Sequence, residues 1–149
     1  MPCQFPSEGR VLAFVADLFK DINDKSGVAY FRHCYTVMEK AEQKGCSKAG
    51  VYAALLHDVV EDTDVTFDEL SRRYQIPFEV VQLVDLLTRR EDETWEAYIK
   101  RVSTSDEATK IKLCDLEHNS DITRLKGIGK KDHERNERYV WAYSYLKRR

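Results

Sequence analysis

The chain has 149 residues, 42% of them apolar and 34% charged, which suits one globular domain over residues 1–149 with a buried core. Its 24 basic and 26 acidic residues nearly cancel, which argues against duplex nucleic acid as a partner, since that would favour a basic stripe. The best apolar run, Val11 to Phe19, is broken by Asp17 and falls short of the roughly 20 residues a membrane span needs; it also lacks the flanks of a signal peptide.

The elements follow in chain order. A first amphipathic helix is predicted from Glu8 to near Ile22, with Val11, Phe14, Val15, Leu18 and Phe19 on one face. Asn23 to Gly27 reads as a polar turn. A second helix spans about Ala29 to Lys44 and stops at Gly45, a residue suited to a left-handed cap. Ser47 caps a third, very apolar helix reaching about Val60. Thr66-Phe67-Asp68-Glu69 is a capping box, and Pro77 opens a helix carrying Phe78, Val81, Val84 and Leu87. Thr94 caps a helix with Trp95, Tyr98 and Val102, and Thr104 to Glu107 forms a second capping-box match before a helix with Ile111, Leu113 and Asp115. Gly127 and Gly129 interrupt the pattern. The last helix, near Lys131 to Lys147, spaces Tyr139, Ala142, Tyr143 and Leu146 as a docking face. Nothing reads as a strand, so the class is all-α. The cysteines Cys3, Cys34, Cys46 and Cys114 show no C-x-x-C spacing and predict reduced thiols in a cytoplasmic protein.

One stretch carries charge where an apolar helix ends: Leu55-Leu56-His57-Asp58-Val59-Val60-Glu61-Asp62. Taken alone it reads as a helix leaving the core, with its acids in solvent. If the helix runs one turn further, His57 faces Glu61 and Asp58 faces Asp62 at i, i+4. Carboxylates crowded in this way repel unless a cation or shared proton intervenes. Asp115, His118 and Asn119 form a second such group on one helical face, with His118 placed to support a ligand; His33 stands alone.

These segments resemble HD-domain phosphohydrolases, specifically the RelA/SpoT-type guanosine tetraphosphate (ppGpp) hydrolases. Ala54 to Thr66 is similar to their signature, and Lys25-Ser26-Gly27-Val28-Ala29-Tyr30-Phe31-Arg32-His33 to their K-S-G-x-P-Y-x-x-H segment. Val84 to Arg89 is similar to V-D-G-V-T-K, and Ile111 to Asn119 to I-K-L-A-D-R-L-H-N. The resemblance implies a compact helical HD fold in which His33, His57, Asp58 and Asp115 ligate one divalent cation, usually Mn2+. It implies Glu61 and Asp62 as the catalytic acids, and Lys25 and Asn119 as contacts to a small-molecule nucleotide. Such a cation lowers the pKa of water, polarises a phosphoryl oxygen and aligns the two. Hard carboxylates make ligation by the neighbouring Cys34 or Cys114 thiols unfavourable.

The departures concern substrate. Asp24 stands where the family carries an arginine that packs on guanine, and a carboxylate there cannot stack as a guanidinium does and is expected to repel a polyphosphate. Leu116 and Glu117 replace a cation with an acid, and the length leaves no room for a second, synthetase-like domain. The reading is a ppGpp 3′-pyrophosphohydrolase. An HD-type 5′-nucleotidase or other phosphomonoesterase is the alternative that keeps the metal, and a non-catalytic nucleotide- or partner-binding module is the alternative of another class.

Overall fold

A computed structural model of the protein describes residues 4–125 and 127–149, so Cys3 lies outside the described residues. The helices are α1 (Glu8–Leu18), α2 (Phe31–Gln43), α3 (Lys48–Leu56), α4 (Val59–Asp62), α5 (Phe67–Arg72), α6 (Phe78–Leu87), α7 (Trp95–Val102), α8 (Asp106–Asn119) and α9 (Lys130–Arg148). Among the described residues the only extended pairing is an isolated antiparallel bridge between Asn23 and Ala29, so the all-α class holds. No described helix is long and apolar enough to cross a membrane.

α3 is the hub. Every residue from Gly50 to Leu56 is buried, as expected of a helix apolar on all sides, and it packs against α1, α2, α6 and α8. Ser47 caps it, accepting from the Gly50 amide at 3.1 Å. α2 ends at Gln43 with Lys44 as its C-cap, and Gly45 just beyond takes the expected left-handed conformation, φ +80°. The Thr66–Glu69 capping box is formed, and Thr94 caps α7.

Four expectations need correction. α1 stops at Leu18, and Phe19 turns the chain while remaining in the core. The third helix does not run unbroken to Val60. It ends at Leu56, Asp58 takes φ −101° and ψ −1°, and the short α4 restarts at Val59. Phe78 is 73% exposed, and Val80 takes the inward place on α6. α8 is capped by Ser105, not Thr104, and Glu107 instead reaches across to the Ser47 amide at 3.1 Å. α9 docks on α8 through buried Ala142 and Leu146, as its stripe predicts.

The C-terminal end of α6 is closed by α7. Arg101 donates to the carbonyls of Asp85, Leu86 and Thr88, while the Tyr98 hydroxyl donates to that of Leu87 at 2.5 Å. The same guanidinium grips Glu93 in a two-point fork. Those bonds hold the Glu93 carboxyl down to about 2, from an ordinary 4.5. A folded-state pKa below the unfolded one stabilises above the unfolded value, and that gain is lost as pH falls. Glu93 should therefore contribute about 2 kcal/mol, discounted for solvent screening, above its unfolded pKa. The contribution disappears as pH drops from 4.5 through about 2. Denaturant unfolding across that range should show a flatter stability curve for Glu93→Gln than for the wild type.

Candidate metal centre and its cavity

The break after Leu56 turns His57 and Asp58 off the α3 axis while backbone pairing resumes at once, with the Asp62 amide on the Asp58 carbonyl at 2.9 Å. α2 contributes His33 and α8 contributes Asp115. One ligand-type atom from each of His33, His57, Asp58 and Asp115 lies within 4.8 Å of the others, a group able to hold a metal ion. Neither Cys34 nor Cys114 belongs to it. Burial pushes both thiols up, Cys114 to about 11, which keeps them protonated.

Hydrogen bonds indicate the state of each imidazole. His57 Nδ1 lies 2.6 Å from the Ala54 carbonyl, to which it can only donate. In the neutral ring Nε2 then carries the lone pair. That buried Nε2 has no hydrogen-bond partner, although Asp58 Oδ2 is 3.0 Å away and Asp115 Oδ1 3.3 Å away. Burial, together with the neighbouring His33, pushes His118 down to about 4, so it is neutral near pH 7. Its Nδ1 lies 2.7 Å from His33 Nδ1, within hydrogen-bond distance. In the tautomer in which His33 Nδ1 donates to that ring, its Nε2 carries the lone pair, facing Asp115 Oδ1 at 2.9 Å. Acceptors brought this close to carboxylates call for positive charge between them, and two imidazoles with two carboxylates suit a hard or borderline divalent ion. The donor set fits such an ion.

The carboxylates show the same demand. Burial alone would raise Asp115, but the Lys112 ammonium, 2.8 Å from Oδ2, leads the groups that hold it well below the usual range. Burial would lower His57, and the adjacent Asp58 and Asp115 outweigh that and raise it well above 6.5. Asn119 donates to Asp115 Oδ1 at 2.9 Å, and Tyr30 donates to Asp58 Oδ2 at 2.6 Å.

A cavity of about 430 Å³ opens against this cluster. Lys25 and Asn119 line it together with Tyr30, His33 and Asp62, so the residues expected to contact substrate share one chamber. Glu61 does not line that chamber. It lies on an adjoining groove that also includes Asp62, with its Oε1 accepting from the Arg89 amide at 2.5 Å. Although both acids reach solvent, surrounding protein desolvates their carboxyls; Asp62, with Asp58 adding repulsion, is pushed up to about 6, and Glu61 is also raised.

Asp24 behaves differently from its sequence reading. Its Oδ1 accepts from the Ser26 amide and hydroxyl and from the Val28 amide, and Arg124 meets Oδ2 at 2.8 Å. The carboxylate therefore shapes the turn presenting Lys25, and its charge is paired. Sequence reasoning missed Lys112 and the cavity cations Arg124 and Arg135. It also gave Tyr139 only a packing role, whereas Tyr139 lines the cavity too. The available signals were a lysine three residues before Asp115, flanked by Ile111 and Leu113, and the i, i+4 spacing of Arg135 and Tyr139.

Residues 11–114 match the HD domain family, a span that holds three of the four clustered residues and stops one short of Asp115. A guanosine-3′,5′-bis(diphosphate) 3′-pyrophosphohydrolase of Aquifex aeolicus is 27% identical over 165 residues, covering 92% of this chain, which spans only 23% of that relative. The human enzyme of the same description, MESH1, is 31% identical over 130 residues, covering 83% of this chain and 73% of its own length. A solved chain described as a metazoan orthologue of SpoT that hydrolyses ppGpp superposes with a TM-score of 0.76. At 23% identity over 96% of this chain and 87% of that one, the likeness is one of fold.

Proposed function

We propose, since the chain belongs to the HD-domain family, that residues 1–149 form one metal-dependent phosphohydrolase domain that releases pyrophosphate from the 3′ position of ppGpp. The observation carrying this reading is the convergence of His33, His57, Asp58 and Asp115, with His57 Nε2 buried and without a hydrogen bond. These four hold one divalent ion, for which Mn2+ is the choice made by analogy with the family. When bound, the ion supplies a Lewis acid for a phosphoryl oxygen and an acidified water.

The remaining steps fall to the chain's own side chains. Asp62, with a carboxyl raised to about 6, borders both the cavity and the groove and is suited to exchange a proton near neutral pH. Glu61, anchored by the Arg89 amide, orients the attacking water. Lys25 offsets charge on the leaving diphosphate. Asn119 spends its amide nitrogen on Asp115, which leaves its carbonyl oxygen for the nucleotide. The pairing of Asp24 with Arg124 removes the charge objection to a polyphosphate, while a carboxylate at 24 still offers no flat cation to a base. That second fact keeps a nucleoside monophosphate as the alternative substrate. The protein works on a small molecule in the cytoplasm, without nucleic acid or membrane.

The deciding experiment loads the protein with manganese and assays ppGpp, pppGpp and a panel of nucleoside monophosphates. Pyrophosphate from ppGpp is the expected product. Phosphate from the monophosphates alone would transfer the assignment to a nucleotidase. Stoichiometric metal with no turnover on any substrate would leave a binding module.

A further inference from the structure

The bonds that close α6 also lead to the groove acid. A helix end leaves its last carbonyls without partners, and these usually meet water. Here Arg101 Nη1 donates to Asp85 and Leu86 at 3.2 and 3.3 Å, and Nη2 donates to Thr88 at 2.8 Å. Its Nε and Nη2 hold the Glu93 carboxylate at 2.8 and 2.9 Å. Glu93 in turn accepts from the Arg90 amide at 3.1 Å, and its carbonyl accepts from Arg89 Nε at 3.0 Å. The turn between α6 and Glu93 is thus gripped on both sides of Arg89. The Arg89 amide, free of any helical acceptor, donates to Glu61 Oε1 at 2.5 Å. Among the described residues no other hydrogen bond reaches the Glu61 carboxylate.

We propose that Arg101 is a positioning residue for hydrolysis: its grip on the turn from Thr88 to Glu93 aims the Arg89 amide, and that amide sets the orientation of the Glu61 carboxylate. The inference rests on the role given to Glu61 above. It requires a planar fork. Five hydrogen bonds fan out in several directions from three nitrogens, and a lysine, with one donor atom, cannot span the helix carbonyls and the Glu93 carboxylate together. Arg101 belongs neither to the four-residue cluster nor to the cavity lining, so its effect belongs in turnover, not in binding.

A double-substitution cycle separates this from simple helix capping. Arg101→Lys, Glu61→Asp and the pair are compared for kcat and KM on ppGpp, manganese affinity by titration, and thermal midpoint. Arg101→Lys should lower kcat about ten- to a hundred-fold through misplacement of the acid, with KM and manganese affinity within about two-fold of wild type. In the Glu61→Asp background, whose shorter carboxylate no longer meets the Arg89 amide, the further loss from Arg101→Lys should fall below about two-fold. Equal losses in both backgrounds, or no loss in either, would overturn the proposal. Should Arg101→Lys fail to fold, Glu93→Gln loosens one side of the same grip, leaves the α6 cap in place, and is read in the same cycle. If Glu61→Asp keeps full turnover, the role of Glu61 falls and this inference with it. If only Arg101→Lys is silent, the inference alone falls.

Discussion

Asp58→Ala is expected to lose both manganese and hydrolysis, while Glu61→Ala keeps the metal and loses turnover. Asp58 is the least enclosed of the four clustered side chains, with 13% of its side chain exposed, and its Oδ2 faces His57, His33 and Tyr30 together. Removing it takes away one of the two carboxylates that compensate the cation. Manganese affinity should fall by more than the roughly 10–100-fold that loss of a mere supporting group costs. Glu61 hangs from the Arg89 amide on the neighbouring groove, outside the cluster. Its loss should cost roughly 10²–10⁴-fold in kcat, the scale of a displaced acid or base. Metal analysis beside a pyrophosphate-release assay reads both quantities. Equal loss of metal in the two variants would overturn the separation of roles.

The second large effect is expected at Lys112. Its ammonium is sealed under the Tyr98 and Trp95 rings, 5.1 and 5.5 Å from their centroids, and pairs with Asp115 at 2.8 Å. Burial would lower its pKa, but Asp115 chiefly holds it well above the ordinary lysine value, so it is charged. Lys112→Met keeps the length of the stem and strands a buried carboxylate, a change that costs about 3–5 kcal/mol when a buried pair is broken. The deficit should be largest without metal and should shrink in saturating manganese, because a cation at the cluster compensates the same Asp115 charge. Denaturant midpoints of wild type and variant, with and without manganese, measure it. A deficit that manganese leaves unchanged would mean that Lys112 serves packing alone.

What could be read from the chain alone was whatever acts locally. Ser47, Thr66 and Thr94 cap because a side-chain oxygen reaches an amide two or three residues on, and that spacing is written in the sequence. Thr104 and Ser105 are adjacent and equally able, so the choice between them depended on Glu107 being drawn away to Ser47. Phe78 stands beside Val81, Val84 and Leu87 in the sequence with nothing to set it apart, because α6 is apolar around most of its circumference, where periodicity no longer separates faces. The four clustered residues became legible through resemblance, since no local rule brings His33 to Asp115. Lys112 and Arg101 act through partners across a helix or distant in the chain, and no local rule in the sequence singles them out.

The interruption at His57–Asp58 has one more consequence. It sets the clustered His57 and Asp58 and the neighbouring acids at a joint, and the two arms are held very differently: seven of the nine α3 residues are buried, against Val59 alone in α4. Substitutions in the first arm disturb the centre of the molecule, while those at positions 61 and 62 fall on a single exposed turn. Such a layout lets descent with modification change positions 61 and 62 without dismantling the scaffold, because an exposed turn is among the cheapest places in the protein to exchange a side chain.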